Sequence, residues 1–130
     1  MPLFTVTMRS DRDADEKNAI SRAIHQASVS AGYPSNDLLQ RFLCLEQDDL
    51  KIDPRYPDLP KPRTEKMLLI EVLVSSGTDA DRKKRLLAAL VEALDTAGTD
   101  PNDIMVFFIE IDRASSSFGG GRLAPPVVTV

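Results

Sequence analysis

The sequence predicts an α/β fold made by tandem duplication of a β-α-β unit. Three observations carry that prediction. Apolar runs with strand character alternate with stretches of helical periodicity. The order strand, helix, strand occurs twice. Residues also match between the two occurrences at a constant offset of 66: Ala31-Gly32 with Ala97-Gly98, Asn36-Asp37 with Asn102-Asp103, and Phe42 with Phe108. Parallel strands joined through a helix take a right-handed crossover. Two such units give a four-stranded mixed sheet with two helices on one face.

The first strand is PLFTVTMR, by alternation and β-branched content. Asp13 to Ala31 reads as a helix, because Ile20, Ala23, Ile24, Ala27 and Ala31 recur at helical spacing and Gly32 follows as a stop. A polar turn, YPSND, leads to a second strand in LLQRFLCLE. The next loop holds Pro54, Pro57, Pro60 and Pro62, too many for a helix or an interior strand. The pattern then restarts with MLLIEVLV. A second helix spans Asp79 to Ala97, with Leu86, Leu87, Leu90, Val91 and Leu94 on one stripe and Gly98 as its stop. After TDPND comes the last strand, IMVFFIEI. The chain is thus one domain: a first repeat at 2–47, a proline-rich linker at 48–66, a second repeat at 67–112 and a tail at 113–130. The closing VVTV is expected to add an edge strand to a neighbouring copy.

LLIEVLV and MVFFIEI are apolar on both strand faces, as in strands covered on both sides. Two helices cover one face, and no third helix remains for the other. Association with further copies in a closed ring, a trimeric assembly, is the simplest cover.

Composition narrows the function. With 16 basic and 20 acidic residues the net charge is -4, and no basic stripe marks a nucleic-acid footprint. The run Arg82-Lys83-Lys84-Arg85 reads as a solvated helix face. The single cysteine, Cys44, rules out an internal disulfide and lies in an apolar run, so it reads as a buried, inert thiol. The single histidine, His25, has no second histidine to make a metal site and reads as a helix-surface residue. Neither a signal peptide nor a stretch of transmembrane length is seen, so the expectation is a cytoplasmic protein without membrane or nucleic-acid partners. Gly119-Gly120-Gly121 follows a strand with no helix to come, which suits a pocket rim better than a phosphate cradle.

Pro2 carries the functional signal. Removal of Met1 would leave a secondary amine at the front of a strand. An α-amino group titrates near 8, and an apolar pocket lowers that value. Such an amine suits proton transfer next to a carbonyl. Its counterpart at the offset of 66 is Leu68, locked in a peptide bond, so only one of the two corners can hold the amine.

These residues together resemble the tautomerase superfamily, and its malonate semialdehyde decarboxylase-like branch in particular. The resemblance rests on Pro2 opening a strand, Asp13 to Lys17 opening a helix, Pro34-Ser35-Asn36-Asp37 before the second strand, and Ser117-Phe118-Gly119-Gly120-Gly121-Arg122 after the last. It implies the tautomerase, or MIF-like, fold as a homotrimer, with Pro2 as catalytic base or acid and Asp37 beside it. It implies no cofactor and no metal. Phe118 would form part of an apolar wall. The chain departs from that branch at one place. If the first strands of the two repeats run antiparallel, Ser75-Ser76-Gly77-Thr78 meets Pro2, and the branch's paired arginines are missing there. The hydroxyls of Ser75 and Ser76 could bind an oxyanion, and Arg41 or Arg122 could supply the charge. Arg12 matches a family arginine but belongs to the corner opened by Leu68. The leading expectation is therefore a cofactor-free tautomerase acting on a small carbonyl acid, with Pro2 as general base. A decarboxylase or hydratase using protonated Pro2 is the first alternative, and a catalytically inactive trimeric binding or structural protein is the second.

Overall fold

A computed structural model describes residues 1–126. Its elements are β1 (Leu3–Arg9), α1 (Ala14–Ser30), β2 (Gln40–Leu45), β3 (Leu68–Ser75), α2 (Ala80–Thr96) and β4 (Ile104–Ile111). The sheet order is β2-β1-β3-β4. Strands are parallel within each β-α-β unit and antiparallel where β1 meets β3. The repeat extends to register: Val6 faces Phe42, and 66 residues later Val72 faces Phe108. The strand that VVTV is expected to form lies outside the described residues.

Both helices start and stop by the same local chemistry. Asp13 caps α1 by accepting from the Glu16 backbone N–H at 2.8 Å, and Asp79 caps α2 by accepting from that of Arg82 at 2.7 Å. Each cap satisfies one of the donors that a helix start leaves open. Gly32 and Gly98, at φ 99° and 106°, take the left-handed conformation that ends each helix.

Alternation along the strands separates two faces. Phe4, Val6 and Met8 of β1 and Leu68, Ile70, Val72 and Val74 of β3 point to the helices. There they meet Ile20, Ala23, Ile24 and Ala27 of α1 and Leu86, Leu90 and Leu94 of α2. Burying each large side chain stabilises the fold by roughly 1.5–3 kcal/mol. On the opposite face, Leu43, Phe107 and Ile109 are 40%, 55% and 43% exposed, and no helix among the described residues covers them.

Two expectations are corrected. Leu87 is exposed, and only Leu86, Leu90 and Leu94 form the buried stripe of α2. One residue further along a helix is about 100° around its axis, which turns Leu87 off the core. Cys44 is exposed too: β2 is the outermost strand, and nothing packs over it there. Among the described residues, no helix is long and apolar enough to cross a membrane.

Candidate active site

The antiparallel β1–β3 pairing sets where the site forms. Leu3 faces Leu73, so continuing that register brings the chain's start level with Val74 and Ser75. Tyr33, Pro34 and Asp37 close in from the turn after α1. The first turn of α2 and the turn at Arg113 supply the far walls. Together they enclose a cavity of about 490 Å³.

At its inner end the Met1 ammonium lies 2.5 Å from Asp37 Oδ2. Asp37 is held in place by its own backbone N–H, which donates to the Pro34 carbonyl at 3.0 Å. Pro2, next in the chain, is fully buried and does not itself line the cavity. A retained methionine therefore fills the place that an amine at Pro2 would open onto.

The duplicated corner is an internal control. Asp103 stands 66 residues after Asp37 and is 3% exposed. It accepts from the Thr64 backbone N–H at 2.7 Å and from Thr64 Oγ1 at 2.6 Å. Here the linker takes up the carboxylate, and Asp103 is structural. Arg12, also buried, donates to the Lys66 carbonyl and lies 3.6 Å from Glu16. The second corner thus pairs its charges within the chain, although Arg12 Nε itself has no hydrogen-bond partner, whereas the carboxylate of the first faces only the front of the chain.

Other candidates separate under the same geometry. Ser75 and Ser76 line the cavity. Arg41 does not: it shares a face with Thr5, the sheet face away from the helices, and its Nη2 donates to Thr5 Oγ1 at 2.9 Å. Arg122 is exposed in the glycine turn and forms no part of the wall. Phe118 is half exposed and reaches the site only through Arg113, whose guanidinium carbon lies 5.6 Å from the ring centroid.

Sequence reasoning missed three residues. Arg113 lines the cavity from the turn after β4. Arg82, read from sequence as part of a solvated face, lines it from α2, with its guanidinium carbon 4.2 Å from the centroid of the Tyr33 ring. A signal for Arg82 was present. It follows the cap Asp79 by three residues, so it sits in the first turn, beside the Ser75–Thr78 corner. Tyr33 is pushed above the usual tyrosine range, chiefly by burial; Arg82 opposes the shift, while Asp37 and Asp79 add to it. Its hydroxyl stays protonated at neutral pH and can donate to a developing oxyanion. Among the described residues no group of three His, Cys, Asp or Glu side chains could hold a metal ion.

Comparison with known proteins identifies the family. A family model described as tautomerase enzyme matches residues 37–119, well over half of the chain. Two solved malonate semialdehyde decarboxylases are each 26% identical to it. The first, inhibited by 3-bromopropiolate, has a TM-score of 0.83 and aligns over 92% of this chain and 91% of its own. The second, solved in wild-type, mutant and inactivated forms and described as having decarboxylase and hydratase activities, has a TM-score of 0.84 over 92% of both chains. A native fused 4-OT shares the fold at 18% identity, with a TM-score of 0.76 over 94% of this chain and 95% of its own. No curated protein matches. From the family match, the duplicated β-α-β architecture and the fit to these two structures, the chain belongs to the tautomerase superfamily and is similar to its malonate semialdehyde decarboxylase-like branch.

Proposed function

We propose that the chain is a cofactor-free acid–base enzyme for a small oxo acid, with Pro2 as its proton-transfer group once Met1 is removed. The observation that carries this is the Met1 ammonium held 2.5 Å from Asp37 at the inner end of the cavity. In the proposed state the Asp37 carboxylate serves as counter-ion to an ammonium at Pro2. Pro2 then acts as an ammonium. With the Tyr33 hydroxyl it polarises the carbonyl β to the substrate's carboxylate. The bond between the carboxylate carbon and the α-carbon breaks, and its electron pair passes into the enolate. Carbon dioxide leaves, and the α-carbon takes its proton from the Pro2 ammonium, which solvent reprotonates. Decarboxylase and hydratase activities are attributed to a structure 26% identical to this chain, which supports the reading.

Pro2 as general base in an enol–keto tautomerase is the second reading. The full burial of Pro2 favours it, because a dry surrounding disfavours the ammonium. A trimer belongs to both readings. The uncovered sheet face bearing Leu43, Phe107 and Ile109 supports it, and fused 4-OT structures described as trimers share the fold.

The test measures carbon dioxide release from malonate semialdehyde and ketonisation of phenylpyruvate enol, using protein whose intact mass shows Met1 removed. Pro2→Ala is expected to abolish the first activity. Loss of the second alone would establish the base reading. Activity in both that survives Pro2→Ala would refute a catalytic Pro2.

A further inference from the structure

The cavity contains a cation with no anion of its own. Arg82 lies over Tyr33, and its Nε is buried with no hydrogen-bond partner among the described residues. No carboxylate among the described residues pairs with its guanidinium within salt-bridge distance. The two acidic residues of the same cavity are otherwise engaged. Asp37 holds the chain's first nitrogen, and Asp79 caps α2 by accepting from the Arg82 backbone. A partly desolvated guanidinium without a partner is costly, and a carboxylate relieves that cost through charge-assisted hydrogen bonds.

The duplicated corner sharpens the point. The position 66 residues before Arg82 is Glu16, whose carboxylate lies 3.1 Å from Lys66 and 3.6 Å from Arg12. There the charges are matched within the chain. At the amine corner the equivalent position carries the opposite sign and is left unmatched.

We propose that Arg82, stacked on Tyr33, seats the carboxylate of the substrate and determines specificity for acids. It fills from the helix the role that Ser75–Thr78, without an arginine, cannot fill from the strand end. The contact with Tyr33 restrains the guanidinium, so it gives up less freedom on binding a carboxylate. Arg113 also lines the cavity without a carboxylate in salt-bridge distance among the described residues, but its Nε donates to the Pro125 carbonyl at 2.5 Å and its guanidinium leans toward Phe118 rather than Tyr33.

The inference rests on the proposed acid substrate, but its test does not need turnover. Pyruvate and its methyl ester are titrated by NMR into Pro2→Ala protein, with and without Arg82→Gln. Pyruvate is expected to shift the Arg82 Nε–H resonance. Arg82→Gln is expected to weaken pyruvate roughly 10- to 100-fold, the worth of charged hydrogen bonds. It should leave the ester within about threefold, since the ester offers no charge to pair. Arg82→Lys should recover part of the loss. Equal pyruvate binding with and without Arg82, an equal loss of acid and ester, or no pyruvate binding at all would overturn the assignment. Turnover surviving Pro2→Ala would refute the proposed catalyst and leave this seat standing.

Discussion

Asp37 and Asp103 occupy equivalent turns, and the fold gives their carboxylates different partners. Replacing each by alanine separates the two. Asp103 is 3% exposed and receives two hydrogen bonds from Thr64, at 2.7 and 2.6 Å. Hydrogen bonds to a charged group contribute about 1.5–3 kcal/mol each. Because the two share one partner residue they do not add in full, so Asp103→Ala should cost about 3–4 kcal/mol. Asp37 makes one ion pair, with a terminal ammonium that opens onto a cavity. Its removal should cost less than that of Asp103, because the ammonium it leaves behind faces the cavity and can be hydrated there, whereas Asp103 is buried and its loss leaves two Thr64 donors without their acceptor. The assay is urea unfolding followed by circular dichroism at one protein concentration. With a slope of about 1.5 kcal/mol per molar, the Asp103→Ala midpoint should fall by about 2–3 M and that of Asp37→Ala by less. Activity should follow the reverse order: the Asp37 variant folds and loses turnover, whereas the Asp103 variant retains turnover wherever it is folded. Equal midpoint losses, or a larger loss for Asp37→Ala, would refute the division of labour between the corners.

Two further outcomes follow from exposure and from the shifted tyrosine. Phe107→Asp places a charge on the uncovered sheet face, on its outer strand β4, and should convert a trimer to monomers in analytical ultracentrifugation; an unchanged sedimentation coefficient would move the proposed interface elsewhere. Tyr33 is raised above its unfolded value near pH 10 by burial, so its contribution to stability is present below that pH and is lost as pH climbs through the higher folded value. Tyr33→Phe should flatten the alkaline decline of stability above about pH 10, and identical slopes in the two proteins would refute the burial.

Much of the fold was legible because it rests on local rules. The helix starts at Asp13 and Asp79, the stops Gly32 and Gly98, the alternation of β1 and the apolar run of β3 are each set by near neighbours in sequence. The repeat at 66 then made one half predict the other. Leu87 and Cys44 were misread where local pattern is weakest, at the margin of a stripe and on an edge strand.

The site was legible only in part. Pro2 stands out by the asymmetry between the two corners, since its counterpart is Leu68, whereas Asp37 matches Asp103 and was implied only by the family resemblance. Arg82 does not stand out, because its meaning depends on what faces it. In sequence it is one of four consecutive basic residues, and that run alone gives it a solvated role. Only the antiparallel register of β1 against β3 brings the α2 first turn to the front of the chain, and only packing lays the guanidinium on Tyr33. The sequence by itself determined the duplicated units and their order, since helix and strand follow from short-range periodicity and capping. Tertiary structure alone decided which charges would be satisfied and which left open, because that balance is set by contacts between residues tens of positions apart.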